Sequence, residues 1–306
     1  MGAYCKRGRY VRVVTSSRRS CLSVPGSSAK MLDKARSLPA DEIVIDLEDS
    51  VTVEHKDEAR AAVAGALSEG EWAARSIAVR INEPASRFCH RDVIEVTERA
   101  GGALSCLVVP KVETPDDLRF VDRLLGMVEE EAGREHPIAI QALIETAAGL
   151  ARVGEIAGAS DRLEALIVGY ADLGASLGRS PAAGEHWSPV LDAVLVAARA
   201  AGLQAIDGPH LDISDLDGMR AAAARARTLG YDGKWALHPT QVEPLNEIFS
   251  PTGEELERAG AVIDALDGAA SGEGRGAAML DGEMIDEASR KRALQTLARG
   301  SAARGS

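Results

Sequence analysis

The sequence predicts an α/β protein, a (β/α)8 TIM barrel that carries a helical lid or arm at its C-terminal end. Eight short apolar runs rich in β-branched residues recur along the chain, and a stretch with helical patterning follows each of them. Runs that are apolar on both faces are typical of parallel strands buried on both sides. Eight strand–helix units within about 230 residues also match the size of this barrel. A doubly wound open sheet is the alternative that the pattern leaves open.

The predicted elements alternate regularly as far as His238. Alanine-rich, charge-patterned stretches such as HKDEARAAVAGALSEG lie between the runs and are typical of amphipathic helices that end at glycine. The first 18 residues are rich in arginine and lack the apolar core of a signal peptide, so we expect a flexible basic arm. The predicted strands span residues 20–24, 42–47, 76–81, 106–110, 138–144, 165–169, 203–207 and 234–238.

The pattern changes after His238. The segment FSPTGEEL carries the signature of a helix start, with Thr252 as the predicted cap. A helix to about Leu266, a glycine-rich link and a last helix from about Glu287 to Arg299 are expected to follow. We therefore predict three parts, which are the basic arm at 1–18, the catalytic barrel at 19–249 and the helical lid or arm at 250–306.

The composition excludes several classes of function. The net charge of −12 over 306 residues argues against a nucleic-acid partner, because affinity for the phosphate backbone rests on clustered lysine and arginine. No apolar run approaches the roughly 18 to 20 residues that cross a bilayer, so we expect no membrane partner. The four cysteines lack CxxC spacing, which argues against a zinc site or a disulfide framework. A reducing cytoplasm fits this pattern best.

Polar residues follow nearly every predicted strand. In barrels of this type the reacting groups lie at the carboxyl ends of the strands. Gathering ionisable groups on one rim is costly unless a ligand or a metal compensates, so we expect the chemistry there. The residues at or just beyond the strand ends are Pro25, Gly26, Asp46, Glu48, Asp49, Arg80, Asn82, Lys111, Glu113, Glu145, Asp172, Asp207, His238 and Gln241.

Glu145 and Asp172 are the predicted metal ligands, one from each of two neighbouring strand ends. A rim rich in carboxylates and without clustered histidine or cysteine favours a hard ion such as Mg2+ over Zn2+, with Mn2+ as an alternative. Two carboxylates leave positions on the ion for water and substrate oxygens, as Lewis-acid catalysis requires. The alternative for either carboxylate is a helix cap or an ion pair with a nearby arginine.

Arg80, Lys111, Pro25 and Gly26 are the predicted substrate contacts. Arg80 could hold a carboxylate through two hydrogen bonds or stabilise a developing oxyanion, and its alternative is a structural ion pair with Glu48 or Asp49. Lys111 could donate to a substrate oxygen, whereas a Schiff base there would need a depressed pKa. The turn at Gly26 could cradle a phosphate, or the serines after it could simply cap a helix. The sequence contains no Walker loop or GxGxxG motif.

A series of motifs runs in order from about residue 19 to residue 299. They include RSCLSVPGSSAKMLDKA, IVIDLEDSV, VRIN, VPKVE, LIETAAGL, DLGASLG, AIDGP, LGYDGKWALHPTQV, NEIFSPTGEEL and LDGEMID. Through them the chain resembles the citrate lyase β-subunit-like group, which includes malyl-CoA and citramalyl-CoA lyases within the aldolase/citrate lyase superfamily. The resemblance implies a Mg2+-dependent carbon–carbon lyase. Its substrate would be a short β-hydroxyacyl-CoA such as malyl-CoA, citramalyl-CoA or citryl-CoA, which it cleaves into, or forms from, an acyl-CoA and an oxo acid.

The resemblance also implies a role for individual residues. Mg2+ would be held at Glu145 and Asp172, and Arg80 would bind the oxo acid or the enolate-like oxygen. Asp286 would serve as general acid or base from the lid of a neighbouring subunit, in a homotrimer or homohexamer that exchanges lids. Coenzyme A would enter as part of the substrate. We count Glu48 with Arg80 and Asp286 as candidate catalytic residues.

Two features depart from the pattern of this group. Many relatives carry an arginine within the helix that precedes their AAxAAG text, whereas this chain offers only Arg199 further along, and His186–Trp187 is unusual in its loop. These departures bear on which acyl group is accepted rather than on the metal chemistry. The alternatives left open are a malyl-CoA thioesterase, a pyruvate-type aldolase that does not use coenzyme A, and a non-catalytic subunit of a lyase complex.

Overall fold

Eight parallel strands close into a barrel in a computed structural model of the chain, which describes residues 17–179, 187–273 and 276–304. Each strand pairs with the next one along the chain, and the eighth pairs with the first. The predicted TIM barrel is therefore confirmed and the open sheet is excluded. The strands are β1 (Ser20–Pro25), β2 (Glu42–Asp46), β3 (Ser76–Arg80), β4 (Cys106–Val109), β5 (Ala139–Ile144), β6 (Leu163–Val168), β7 (Gln204–Asp207) and β8 (Gly233–Ala236).

Helices follow the strands and pack against the outside of the barrel. Local sequence sets their ends. For example, Thr114 and Asp117 form a reciprocal capping box at the start of the longest of these helices, and Gly133 ends it with a left-handed backbone. The helices are α1 (Ala29–Ala35), α2 (Lys56–Ser68), α3 (Cys89–Arg99), α4 (Pro115–Ala132), α5 (Ala147–Ala151), α6 (Val153–Ala157), α7 (Tyr170–Ser176), α8 (Ser188–Ala201), α9 (Leu216–Leu229) and α10 (Val242–Phe249).

Two apolar layers hold the barrel together. The larger layer joins the outward side chains of the strands to the helices. Because neighbouring strand residues alternate between this layer and the barrel interior, the strands are apolar on both faces. Each valine, leucine or isoleucine that is fully buried in this way contributes roughly 1.5–3 kcal/mol to stability. The interior layer consists of Cys21, Val44, Ala78, Cys106, Val108, Leu143, Ala165, Ile167, Ile206 and Trp235.

Arg18 closes the end of the barrel opposite the carboxyl ends of the strands. Its side chain is only 4% exposed, and its guanidinium donates to Glu42 (2.9 Å), to Glu164 (2.6 Å) and to Gln204. The sequence assigned Arg18 to the flexible arm, but these contacts make it part of the barrel. A basic residue within a basic run gives no local sign that its partners lie on distant strands. The rest of the predicted arm, residues 1–16, lies outside the described residues.

Replacing Arg18 with alanine is expected to lower the free energy of unfolding by about 3–5 kcal/mol, because Glu42 would be left buried without its cation. Chemical denaturation of the purified protein measures this loss. Arg220→Ala is the control, since Arg220 pairs with Glu247 at 3.3 Å on the exposed surface, where such a pair contributes about 0–1 kcal/mol. Equal losses in the two variants would contradict the structural role given to Arg18.

The C-terminal part is a small unit with its own apolar cluster. It consists of α11 (Gly253–Glu273), β9 (Ala278–Leu280), β10 (Glu283–Ile285) and α12 (Glu287–Arg304). The predicted glycine-rich link is wrong in its second half, where β9 and β10 form an antiparallel hairpin. Its turn uses the left-handed backbones of Asp281 and Gly282. Both helices also run further than predicted. The cluster contains Ala259, Val262, Leu266, Ile285 and Ala293.

Ion pairs attach this unit to the barrel. Arg299 lies 2.8 Å from Asp232, which directly precedes β8, and Arg227 lies 2.5 Å from Glu255. The end of α12 therefore packs near the amino ends of the strands of its own barrel. None of the helices in the described part of the chain combines the length and apolarity that crossing a bilayer demands.

Candidate active site

Arg80 is anchored at the mouth of the barrel by Asp46. The two residues end neighbouring strands and lie in register. Nε and Nη2 of Arg80 donate to the two carboxylate oxygens of Asp46, each at 2.7 Å. Burial raises the pKa of Asp46, but the hydrogen bonds and charge of Arg80 outweigh burial and hold this pKa below its usual value. The ion-pair alternative for Arg80 is therefore present, with Asp46 as the main partner.

Glu48 connects Arg80 to Lys111. Nη1 of Arg80 lies 3.0 Å from Oε2 of Glu48, and Nζ of Lys111 lies 2.5 Å from Oε1. Burial raises the pKa of Glu48 even though both cations oppose it. The ammonium of Lys56 donates to the carbonyl oxygens of Leu47 (2.9 Å) and Glu48 (2.7 Å), which fixes the backbone of the turn after β2. Positive and negative groups thus alternate across the ends of β2, β3 and β4.

Lys111 spans two carboxylates by adopting a left-handed backbone. Its φ of 48° is uncommon for a residue other than glycine and is a form of strain that occurs at functional sites. In this conformation the backbone N–H donates to Oε1 of Glu145 at 2.8 Å while the ammonium contacts Glu48. Burial lowers the pKa of Lys111, but Glu48 outweighs burial and raises this pKa above its usual value. The contact of 2.5 Å between this ammonium and Glu48 favours the charged amine and argues against a Schiff base at Lys111.

Glu145 is the least compensated carboxylate at the mouth. It follows β5 and is only 2% exposed. Within the described part of the chain its side chain accepts a single hydrogen bond, from the backbone of Lys111. Burial, followed by the negative charges of Glu48 and Asp172, raises the pKa of Glu145 to about 8. When Glu145 is ionised, this pocket holds an excess of negative charge that a divalent cation would offset.

Asp172 lies in the first turn of α7 and is half-buried. The residue that connects β6 to this helix, Gly169, packs tightly against Glu145, since a Cβ on Gly169 would lie 2.5 Å from Oε2 of that glutamate. In the described residues no group of three or more histidine, cysteine, aspartate or glutamate side chains is arranged to hold a metal. A pair of carboxylates suits Mg2+, which keeps several waters, better than Zn2+, which takes three or four protein ligands. The residues present therefore fit the predicted ion.

The raised pKa of Glu145 predicts a distinct pH dependence in metal-free protein. Between its ordinary value of 4.5 and about 8 the unfolded chain releases this proton while the folded chain keeps it. The free energy of unfolding should therefore fall as pH rises through this window, with a slope approaching about 1.4 kcal/mol per pH unit. Glu145→Gln removes the titration and should flatten the curve measured by denaturation from pH 5 to 8. Glu254→Gln, at an exposed position, should leave the slope unchanged, and parallel curves for wild type and Glu145→Gln would contradict the assignment.

The turn after β1 serves the packing of the mouth. A Cβ on Gly26 would lie 2.8 Å from the carbonyl oxygen of Asp46, so this position requires glycine. The backbone N–H of Gly26 already donates to that carbonyl at 2.8 Å, and the hydroxyl of Ser28 caps α1 by accepting from the backbone of Met31. The helix-cap alternative is therefore present. A substrate contact at Pro25 and Gly26 stays a prediction.

Other residues that the sequence places at the strand ends have different partners. The carboxylate of Asp207 is buried against Lys234 and Tyr170. These contacts do not include the network of Arg80, Glu48, Lys111 and Glu145 at the mouth. Nδ1 of His238 lies 2.8 Å from the hydroxyl of Thr240 and caps the turn that follows β8, which is a structural role. Strand counting places a residue at the rim, but the two-residue alternation decides which side of the barrel wall the side chain faces.

Asp286 belongs to the C-terminal unit, and its contacts lie within that unit rather than at the mouth of its own barrel. Its carboxylate caps α12 by accepting from the backbone of Ala288 (2.9 Å) and Ser289 (3.1 Å). Of the residues that depart from the family pattern, Arg199 has a partner away from the mouth. Arg199 pairs with Asp232 at 2.8 Å, and His186 lies outside the described residues.

Two residues of the site were not singled out from the sequence. Asp46 appeared only as one of several acids at the end of β2, yet it is the partner that orients Arg80. Lys56 was noted only as the lysine that follows the IVIDLEDSV motif, without a role, yet this residue is 7% exposed and its ammonium holds the turn that carries Glu48. The signal for Asp46 was its position as the last strand residue directly opposite Arg80 in a parallel pair. No local signal indicated that the ammonium of Lys56 would be buried against the turn after β2.

The closed parallel barrel carries at its mouth an arginine fixed by Asp46 and the buried carboxylate of Glu145, whose pKa the charge of Asp172 helps to raise. This arrangement is that of a barrel enzyme with a candidate metal centre. The chain belongs to the HpcH/HpaI aldolase/citrate lyase family, which matches residues 19–239. This finding confirms the resemblance inferred from the motifs, and the expected lyase class agrees with the names of its relatives.

Two relatives match the chain over most of its length. The L-malyl-CoA/beta-methylmalyl-CoA lyase of Cereibacter sphaeroides (strain ATCC 17029 / ATH 2.4.9) is 38% identical over 287 residues, which cover 88% of this chain and 90% of the relative. The (3S)-malyl-CoA thioesterase of Cereibacter sphaeroides (strain ATCC 17025 / ATH 2.4.3) is 35% identical over 285 residues, which cover 93% and 95%.

Solved structures show the same architecture. The CitE protein of Mycobacterium tuberculosis, in complex with magnesium, acetoacetate and coenzyme A, has a TM-score of 0.72 and 28% identity, and the match covers 94% of this chain and 99% of that one. A citrate lyase of Burkholderia xenovorans LB400 has a TM-score of 0.83 with 95% and 94% covered, and at 24% identity it shows the fold alone.

Proposed function

We propose that this protein is a Mg2+-dependent carbon–carbon lyase that cleaves or forms a short β-hydroxyacyl-CoA such as malyl-CoA, citramalyl-CoA or citryl-CoA. The observation that carries the proposal is the buried carboxylate of Glu145, which has one hydrogen bond and two acidic neighbours, Glu48 and Asp172. A bound divalent cation would offset the excess of negative charge that these carboxylates create. The relative of known structure that binds magnesium with a small oxo acid and coenzyme A supports the same ion and the same class of substrate.

The residues of this chain then divide the chemistry among them. Glu145 and Asp172 would hold the ion, with Mn2+ as an alternative to Mg2+, and the bound ion supplies Lewis-acid polarisation of the oxo-acid oxygens. Arg80, held in place by Asp46, presents a fixed positive charge to the carboxylate of the oxo acid or to the developing enolate oxygen. Lys111 and Glu48 keep this arginine and Glu145 in one rigid network.

Cleavage requires that a base remove the proton of the β-hydroxyl group. The carbon–carbon bond then breaks, the oxygen electron pair forms the carbonyl of the oxo acid, and the bonding pair moves into the thioester enolate. Protonation of that enolate yields the acyl-CoA. We assign the acid and base role to Asp286 from another subunit, because within its own chain this residue lies in a unit that attaches near the opposite end of the barrel.

Turnover tests the proposal directly. The purified chain is incubated with malyl-CoA, citramalyl-CoA or citryl-CoA, with Mg2+ or with a chelator, and the released oxo acid is measured as its hydrazone. We expect the oxo acid to appear in amounts equal to the acyl-CoA, only when Mg2+ is present. Absence of any oxo acid with all three esters would contradict the lyase proposal.

A thioesterase is the second candidate, because a relative at 35% identity is named (3S)-malyl-CoA thioesterase. The two activities differ in which bond breaks, so the same incubation separates them. Hydrolysis of the thioester releases free coenzyme A, measured with a thiol reagent, together with intact malate. Cleavage of the carbon–carbon bond leaves the thioester intact in acetyl-CoA.

The proposed assembly is a cytoplasmic homotrimer or homohexamer in which lids are exchanged between subunits. Mixing Asp286→Ala with Asp172→Ala under conditions of subunit exchange should therefore restore activity that neither variant has alone. About a quarter of wild-type activity is expected at equal amounts, because half of the mouths and half of the lids are intact. Native mass spectrometry verifies the exchange, and mixed oligomers without recovered activity would count against a borrowed acid.

A further inference from the structure

Tyr170, Asp207 and Lys234 form a buried polar trio that has no part in the proposed chemistry. Nζ of Lys234 lies 2.6 Å from Oδ2 of Asp207, and the hydroxyl of Tyr170 donates to Oδ1 of the same carboxylate at 2.5 Å. Lys234 also donates to the carbonyl oxygen of Gly208 at 2.5 Å. Asp207 is 2% exposed and Lys234 is 1% exposed. Burying a charged pair at this depth is costly, so its retention calls for a reason beyond stability.

The trio ends on the short segment that carries a metal ligand. Tyr170 is the first residue of α7, and Asp172 lies two residues further in the same turn. The trio therefore links the start of α7 to the end of β7 and to Lys234 in β8. A change in the position of Tyr170 would be transmitted directly to Asp172, because only one residue separates them.

The surroundings leave this segment little freedom on its other sides. Gly169 donates its N–H to the carbonyl oxygen of Ile144 at 3.1 Å and packs against Glu145 so closely that a Cβ would not fit. A Cβ on Gly208 would lie 2.7 Å from the ring of Tyr170. The ring of Trp187 meets that of Tyr170 edge to face, with centroids 5.0 Å apart. The backbone next to Glu145 and the side chain of Tyr170 are thus both fixed, which constrains the backbone that carries Asp172.

We propose that Tyr170, Asp207 and Lys234 are positioning residues that set the placement of Asp172 relative to Glu145, and so the affinity for the divalent cation. The inference rests on the metal centre of the proposed function. Groups that orient metal ligands without touching the metal commonly change metal affinity by about 10- to 100-fold when they are removed. Here the orienting contact acts through the backbone of one helical turn.

Binding of Mn2+ alone, in the absence of substrate, tests the inference. The loss of the free-ion signal in electron paramagnetic resonance gives Kd for the purified chain. Tyr170→Phe removes only the hydroxyl that contacts Asp207, and we expect Kd to rise about tenfold. Tyr231→Phe is the matched control, because its buried hydroxyl also donates one hydrogen bond, to the carbonyl oxygen of Leu191 at 2.9 Å, but lies on no segment that carries a ligand. This control should stay within about twofold of wild type, like other changes that leave the metal ligands and their supporting contacts intact.

The outcomes separate the inference from the function on which it rests. If the wild-type protein binds no Mn2+, or if the Asp172→Ala variant binds Mn2+ as tightly as the wild type, the proposed metal centre itself is contradicted. Intact wild-type binding with equal Kd values for Tyr170→Phe and Tyr231→Phe would overturn the positioning role alone. Circular dichroism verifies folding, and if Tyr170→Phe does not fold, Asp207→Asn decides in the same assay, with a raised Kd supporting the role and an unchanged Kd overturning it.

Discussion

Replacing Asp172 with alanine is expected to reduce Mg2+-dependent cleavage of malyl-CoA by about 1000-fold or more, which corresponds to about 4 kcal/mol of lost transition-state stabilisation. Asp172 is half-buried in the first turn of α7 and contributes one of the two carboxylates available to the ion. A single carboxylate that also binds a proton tightly would hold Mg2+ poorly. Steady-state release of the oxo acid, followed over a range of Mg2+ concentrations, measures the loss.

The control for this variant is Asp217→Ala. Asp217 also lies in the first turn of a helix that follows a strand, but it is exposed and belongs to α9. It should retain wild-type turnover, which shows that the loss of a carboxylate at a helix start is not itself harmful. Wild-type activity in Asp172→Ala would remove this residue from the set of metal ligands.

Replacing Arg80 with lysine is expected to lower kcat/KM by about 100-fold or more, although the charge is retained. Lysine cannot reproduce the two parallel hydrogen bonds that fix the guanidinium on Asp46, so the positive charge would lose its defined position. The loss should fall on kcat as well as on KM, because the interaction strengthens as negative charge develops on the substrate. Steady-state kinetics of cleavage separate the two constants.

Arg162→Lys is the matched control for the arginine. Arg162 also makes two ion pairs, to Asp122 at 2.7 Å and to Glu129 at 2.6 Å, but it lies just before β6, at the amino ends of the strands. This variant should lose some stability and keep its kinetic constants. A similar kinetic loss in both variants would indicate a general effect of weakened ion pairs rather than a role for Arg80 in the reaction.

The regular part of the fold could be predicted from the sequence because each strand is long enough to display its apolar pattern. The hairpin at 278–285 escaped prediction, since strands of three residues are too short for a two-residue alternation to be recognised. The Asp281–Gly282 pair at its centre was nevertheless a turn signal. Arg18 escaped prediction for a different reason, because its burial depends on acids that follow it by 24 and 146 residues.

The sequence predicted which residues lie at the site better than it predicted the contacts between them. Strand ends nominated Glu48, Arg80, Lys111 and Glu145, and the structure brings their charged groups together. The sequence did not reveal that Lys111 would donate to Glu145 through its backbone, because that contact depends on a left-handed conformation at a residue other than glycine. Metal binding, substrate contacts and the role of Asp286 stay predictions.

A crystal structure of the protein with Mg2+ and glyoxylate tests the central claim most directly. We predict an ion coordinated by carboxylate oxygens of both Glu145 and Asp172, with the remaining positions taken by water and by oxygens of glyoxylate, whose carboxylate or carbonyl faces Arg80. Glyoxylate bound at the mouth while the two carboxylates point apart, with no ion between them, would contradict the account.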